Sequence, residues 1–206
     1  MTTNRKSVVI IDYKMGNVAS VKKAFEKIGA KTKISHLEKD IKNACYLVLP
    51  GVGAFGEGMK NLTEQRLIGL LQEQVVEKGI PFLGICLGMQ LLAEKSYEFG
   101  THEGLGWIKG ETVKLTAPRL PHTGWNNVKI VKEYMFQNIP DNNFYFVHSY
   151  AFSPKNKSAV AATCLYGQTA FAAAVQKDNI FATQFHPEKS QSAGLKVLEN
   201  FLNYNS

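Results

Sequence analysis

The sequence is short of cysteine, of arginine and of long apolar runs, and each shortage excludes something. Its three cysteines are Cys45, Cys86 and Cys164. No pair has CxxC or metal-ligand spacing, and an odd number does not make a closed disulfide framework. A reducing compartment suits them. Only three arginines occur, Arg5, Arg66 and Arg119, whereas proteins that read nucleic-acid bases rely on bidentate guanidinium contacts. The net charge of +7 comes from lysines that are scattered, not blocked. That is the pattern of a solvated basic surface, able to draw in an anionic substrate or an acidic partner protein. The first apolar run, Val8 to Ile11, is cut off by Asp12, too early for a signal peptide or a membrane span. A cytoplasmic protein is predicted, with no nucleic-acid partner, no membrane, no metal and no cofactor.

Internal repeats and low-complexity linkers are also absent. A chain of 206 residues, 45% hydrophobic and 20% charged, is long enough for a real core without a staple. One domain is predicted over 1–206. Val8–Ile11 reads as a short buried strand. Val18, Val21, Phe25 and Ile28 recur at helical spacing, and Gly29 follows as a stop. Cys45–Leu49 is a second strand, closed by Pro50-Gly51. Residues 57–78 look helical, with Leu62, Leu67, Leu70, Leu71 and Val75 on one side. Pro81–Ile85 is the next strand, and a helix is expected from Leu87 to Lys95 and beyond. Such alternation predicts an α/β fold, a mostly parallel doubly wound (flavodoxin-like) sheet. Between 105 and 175 the signals change to short strands separated by Gly, Pro and Asn: Val128–Val131, Phe144–Val147 and Ala170–Val175. This predicts an antiparallel elaboration. Ile180–His186 is one more strand, and Leu195, Leu198, Phe201 and Leu202 mark a closing helix.

Residues 84–90, "GICLGMQ", place Cys86 between a strand and a helix with glycines on either side. This is the logic of the G-x-nucleophile-x-G elbow, with a thiol in place of a hydroxyl. The free N–H groups of a helix start favour a thiolate there. Cys45 and Cys164 each sit in an apolar run and read as buried packing residues. A nucleophilic cysteine needs a base, and the base an orienter. "QFHPE" supplies both: Pro187 biases His186 to extended geometry, and residues two apart on an extended segment face the same way. His186 and Glu188 are therefore the predicted base and orienter. The Leu87 N–H is a candidate oxyanion donor, and the glycine-rich turn Gly51-Val52-Gly53 a candidate source of another. Residues 51–56 also match G-x-G-x-x-G. A dinucleotide fingerprint should follow the first strand and lead to an acid at the end of the next. This one follows a later strand, and the next strand ends at Ile85-Cys86.

"PGVG", "GICLGMQ" and "FHPEKS", in that order, resemble the class I, triad-type glutamine amidotransferases. Within that family "IDYKMGN", "PGVGAFGEGMKNL", "LPHTGWNNV", "FYFVHSY" and "QFHPEKS" resemble the glutaminase subunits of imidazole glycerol phosphate synthases, over nearly the whole chain. The resemblance implies that L-glutamine is hydrolysed to glutamate and ammonia through a thioester on Cys86. It also implies a heterodimer with a (β/α)₈-barrel cyclase subunit that uses the ammonia in histidine biosynthesis. It carries over glutamine contacts at Gly51, Val52, Gly53, Leu87, Gln90, Glu98, Ser149 and Tyr150, with Val52 an oxyanion donor after a peptide flip. His122, Trp125, Tyr145 and Lys189 fall near the family's subunit interface, although Trp125 could be core and His122 and His148 structural. Lys14 stands where the family commonly has glycine. Three other readings compete: the same glutaminase serving another synthase, such as one amidating a surface sugar; a stand-alone Cys-dependent hydrolase; and a degenerate subunit that only binds.

Overall fold

The computed structural model describes residues 7–204; Arg5 and both ends of the predicted domain lie outside them. The chain opens with β1 (Ser7–Ile11), α1 (Val18–Lys27), β2 (Lys31–Ser35), α2 (Glu38–Lys42) and β3 (Tyr46–Gly51). Then come α3 (Phe55–Glu64), α4 (Leu67–Leu71), a π-helical stretch over Gln72–Glu77, β4 (Phe82–Cys86) and α5 (Leu87–Gln90). The second half holds β5 (Lys95–Ser96), β6 (His102–Glu103), β7 (Gly110–Lys114), β8 (His122–Ile130), β9 (Asn143–His148) and β10 (Tyr150–Pro154). It ends with β11 (Val160–Tyr166), β12 (Thr169–Lys177), β13 (Ile180–Thr183) and α6 (Gln191–Leu202).

Nine strands form one sheet in the order β2-β1-β3-β4-β13-β12-β11-β8-β9. The strands from β2 to β13 are parallel, in the doubly wound order of a flavodoxin-like fold. From β13 outward each pairing is antiparallel. The predicted parallel core and antiparallel elaboration are therefore halves of a single sheet. A second sheet, β10-β7-β5-β6, is added to it. β3 and β4 are buried along their whole length, because helices cover both faces. On one face α1 and α6 contribute Val21, Phe25, Val197 and Phe201 to a core cluster. On the other, Phe55, Leu62, Leu67, Leu71 and Val75 pack against Leu47, Leu49 and Phe82.

The structure corrects several boundaries. Helix 57–78 is broken at Arg66, which is left-handed at φ 57°. Leu62 and Leu67 are five residues apart, one more than a helical repeat allows, and the break absorbs the extra residue while keeping both buried. The helix expected from Leu87 to Lys95 is only four residues long. Beyond it Leu92 and Ala93 make tight three-residue hydrogen bonds, and the Glu94 N–H is already paired with Gly110 in the second sheet. Cys45 is exposed, not buried, because it faces outward between the buried Ala44 and Tyr46. Cys164 is buried as expected, and burial pushes its thiol pKa up to about 12.

The elbow after β4 leaves no room for side chains. A β-carbon on Gly88 would stand 1.9 Å from the carbonyl oxygen of Leu49, and backbone cannot swing aside. Gly88→Ala is therefore expected to lower stability by at least about 2 kcal/mol. Gly69→Ala, in α4 with nothing within 4 Å, should instead leave stability unchanged or raise it by about 0.5–1 kcal/mol. Urea midpoints of the two variants check the contrast.

Candidate active site

Cys86 ends β4 with φ 55° and ψ −106°, a conformation that residues with side chains adopt rarely and at a cost of about 1–3 kcal/mol. The strain is what turns the sulfur out of the sheet at the start of α5. Gly51, the last residue of β3, is its parallel partner in the register. Both lie at the carboxyl ends of neighbouring strands, where open α/β sheets bind ligands.

On the other side of β4, Thr183 of β13 pairs with Ile85. The chain then carries Gln184, Phe185 and His186 past the elbow, with the His186 N–H bonded to the Tyr145 carbonyl. His186 and Glu188 do come together, at 2.8 Å between Nδ1 and Oε1, with 3% of each side chain exposed. The route differs from the predicted continuous extended segment. His186 is extended at φ −96° and ψ 97°, and Pro187 then opens a 3-10 turn over Pro187–Lys189 that folds Glu188 back onto the ring. The imidazole pKa lies well above its ordinary 6.5. Burial pushes it down, but Cys86 and Glu188, through hydrogen bonding and charge, outweigh that. Nε2 is buried without a hydrogen-bond partner among the described residues, which leaves it free to exchange a proton with Cys86, the neighbour that raises the ring's pKa.

A cavity of about 220 Å³ opens beside Cys86. Of the expected glutamine contacts, Val52, Gly53, Leu87, Gln90, Glu98, Ser149 and Tyr150 all line it. Gly51 does not, but sits next to it as the partner of Cys86. Leu87 is the first residue of α5, so its N–H has no partner within the helix. Glu98 Oε2 accepts the Phe55 N–H at 2.7 Å. A carboxylate thus occupies the N-terminus of α3, where a dinucleotide fingerprint would seat its pyrophosphate. A larger space of about 490 Å³, lined by β7, β10, β11 and β12 residues such as Val113, Phe152 and Thr163, contains none of these groups.

Residues 9–204 match the family described as Glutamine amidotransferase class-I. The chain belongs to the class-I glutamine amidotransferases. A Campylobacter jejuni protein named imidazole glycerol phosphate synthase subunit HisH 1 is 52% identical over 95% of this chain and 98% of its own length. The HisH subunit of Aquifex aeolicus is 49% identical over 94% of each chain. Among solved structures, PurLQS from Thermotoga maritima superposes with a TM-score of 0.77 at 18% identity, over 97% of this chain and 99% of that one. A crystal structure described as a glutamine amidotransferase gives 0.75 at 18% identity, covering 94% and 96%. At that identity the two structures show the amidotransferase fold.

Three of the four expected interface residues of this amidotransferase form one patch. Trp125 on β8 lies opposite Tyr145 on β9, with their rings 6.2 Å apart. Lys189 Nζ stands 5.6 Å from the centre of the Tyr145 ring, a cation–π distance. Trp125 is 45% exposed, so it is not core. His122 is the exception. It is an interior residue, 3% exposed, stacked between Phe146 and Tyr166 at 4.8 and 4.0 Å. The reason is strand periodicity: residues 122 and 125 are an odd number apart, so they point to opposite faces of β8.

His122 belongs to a buried chain of hydrogen bonds. His148 Nδ1 lies 2.9 Å from the Tyr150 carbonyl, which can only accept, so that nitrogen carries the proton. His148 Nε2 must then accept from His122 Nδ1, at 3.2 Å, and His122 Nε2 from Asn126 Nδ2, at 3.3 Å. Both rings are neutral, and burial drives the His148 pKa down to about 3. The sequence placed His122 near the interface with a structural role as the alternative, kept a structural role open for His148, and singled out no role for Gln184. Gln184 is fully buried, and its Nε2 donates to the Cys86 sulfur at 3.6 Å. The only available signal was its place in the same "QFHPE" string.

The balance at His186 is testable by NMR titration of its ring. Removing either of the two neighbours that raise it, in Glu188→Gln or in Cys86→Ala, should lower the pKa. With both removed only burial remains, and the imidazole should titrate below 6.5. A double variant that still titrates above 6.5 would contradict the assigned causes.

Proposed function

We propose that this chain is the glutaminase subunit of an imidazole glycerol phosphate synthase, a cytoplasmic single-domain protein that makes ammonia for a cyclase partner. The contiguity of the Cys86 sulfur, the His186–Glu188 pair and the adjoining cavity carries the catalytic reading. The near full-length likeness to HisH subunits carries the choice of pathway, histidine biosynthesis. Three free cysteines suit a reducing compartment.

The chemistry follows from the positions. Both N–H groups of the Gln90 carboxamide are committed, to the Tyr150 carbonyl at 2.8 Å and to Gln184 Oε1 at 3.1 Å. Its oxygen therefore remains as an acceptor, and with the Glu98 carboxylate it suits the ammonium of a bound L-glutamine. Ser149 and Tyr150 form another part of the cavity wall. The side-chain amide carbon then lies toward Cys86. His186 holds the thiol proton, and the sulfur adds to the carbonyl carbon. The oxygen takes negative charge beside the Leu87 N–H and, once the Gly51–Val52 peptide reorients, the Val52 N–H. Collapse breaks the C–N bond, His186 returns the proton to the departing ammonia, and a thioester remains. Water, deprotonated by the same imidazole, adds to the thioester carbon. Glutamate leaves, and the proton goes back to the sulfur. Glu188 keeps the ring in its working orientation throughout. The ammonia passes, shielded from water, to the (β/α)₈ cyclase, which makes imidazole glycerol phosphate and an aminoimidazole carboxamide ribotide.

Lys14 favours keeping one alternative, the same glutaminase paired with another synthase. It takes φ 65°, a conformation natural to the glycine common there in the family, and its loop packs on the Gly51 peptide through Gly16. The barrel protein that co-purifies with the chain decides between the two.

Cys86→Ala should reduce glutamine hydrolysis at least about a thousandfold while leaving the circular dichroism spectrum and cyclase binding unchanged. Full activity in that variant would remove the nucleophile from the mechanism. Ammonia release by the native chain should rise strongly on adding the cyclase; a rate indifferent to it would favour a stand-alone hydrolase. Trp125→Ala and Lys189→Ala should each weaken cyclase binding, Trp125→Ala by about tenfold or more, as read by calorimetric titration.

A further inference from the structure

Gln184 lies outside the triad and outside the cavity wall, yet it touches the nucleophile. Its carboxamide bridges two groups, donating to Cys86 Sγ at 3.6 Å and accepting from Gln90 Nε2 at 3.1 Å. Which end faces which is fixed by chemistry. The Tyr150 carbonyl can only accept, so the Gln90 group 2.8 Å from it must be the NH₂. That NH₂ has one proton left for Gln184, which must therefore present its oxygen. The Gln184 NH₂ is then the end that faces sulfur. The Tyr150 carbonyl cannot be pulled away, because His148 Nδ1 donates to it from the other side at 2.9 Å. The backbone of Gln184 is itself pinned to the Ala173 carbonyl of β12. From Gln90 the donors run through Gln184 to Cys86, while the second Gln90 hydrogen anchors the relay on the Tyr150 carbonyl.

We propose that Gln184 is a positioning residue for the glutaminase reaction: its NH₂ holds the Cys86 sulfur in line with His186 and favours the thiolate, and its oxygen ties that setting to Gln90 at the glutamine site. The proposal rests on the reading of Cys86 as nucleophile. The other groups that face the sulfur are the His186 ring, the Tyr13 hydroxyl and the Val147 carbonyl. The carbonyl takes the thiol proton only weakly, at 3.9 Å, and accepts nothing from a thiolate. Gln184 supplies a neutral N–H donor to the sulfur that stays in place whichever way the proton moves between Cys86 and His186. Because the same carboxamide is held by Gln90, ligand binding that shifts Gln90 also shifts the donor at the sulfur.

The test uses the chain in complex with its cyclase, and measures the pH dependence of Cys86 alkylation by iodoacetamide beside kcat and KM for glutamine. Gln184→Met keeps the volume and removes the donor; Gln184→Asn keeps the carboxamide but falls a methylene short of bridging both partners. In each, the apparent thiol pKa should rise by about one unit, and kcat should fall about tenfold with less than a threefold change in KM. If the Met variant does not fold, the Asn variant decides. A packing role alone predicts an unmoved alkylation profile for the isosteric Met variant. That result, or native kcat in both variants, overturns the proposal. Failure of the underlying reading looks different: the native enzyme alkylated at Cys86 would continue to hydrolyse glutamine.

Discussion

Strand β4 lies between β3 and β13, and the parallel register of these three strands is the constraint on which the rest of the site depends. Parallel pairing puts Gly51, Cys86 and the start of the Gln184–Glu188 segment at the same edge of the sheet, although about 135 residues separate the first from the last. No local interaction could hold them there. Parallel strands need long crossovers, and the helices, α3 and α4 on one face and α1 and α6 on the other, leave β3 and β4 wholly buried. A sheet with dry faces positions backbone more exactly than side chains alone can, which suits chemistry that draws on N–H groups as well as on a thiol.

The antiparallel half does different work. β12 buttresses β13 and pins Gln184 by its backbone. β9 provides the carbonyl that holds His186, and β8 and β9 bear Trp125 and Tyr145 on their outer face. Inward from the same strands run His122 and His148. One pair of strands therefore presents an exposed aromatic patch to solvent and a neutral polar chain to the interior. That chain ends on the Tyr150 carbonyl at the glutamine cavity. The two faces are kept separate by strand alternation, and the same alternation placed His122 on the side opposite to Trp125.

What could be read from the sequence, and what could not, follows the same physics. Cys86 and His186–Glu188 were legible because a glycine-flanked thiol and an X-Pro step are local backbone constraints, and local constraints are written in neighbouring residues. β2 was missed because, at the edge of the sheet, it alternates lysines outward and offers no apolar run. The break at Arg66 carries no glycine or proline to announce it; only the spacing of Leu62 and Leu67 betrays it. Cys45 was misjudged because a run of apolar letters does not say which way each side chain faces. Gln184 and the sense of the His122–His148 chain were out of reach for a stronger reason. Their meaning lies in who donates to whom across four strands, and no sequence pattern specifies that.

Gly51 shows how tightly the backbone itself is specified. A β-carbon there would fall 2.1 Å from the Tyr13 hydroxyl, and one on Gly16 would come within 3.0 Å of the Gly51 α-carbon. The turn after β3 is thus pressed between the β1–α1 loop and the Cys86 elbow, and it can contribute only peptide groups. Tyr13 is fully buried and its hydroxyl has no hydrogen-bond partner, a state that costs about 1–3 kcal/mol. Burial, with the nearby Cys86 adding to it, also keeps that hydroxyl protonated far above neutral pH. The unpaired hydroxyl lies against the nucleophile and the candidate oxyanion turn, at the same site as the unpaired His186 Nε2 and Glu188 Oε2, while the Gln90 NH₂ and both His148 ring nitrogens are paired. A neutral, uncommitted hydroxyl there adds no charge of its own beside the nucleophile.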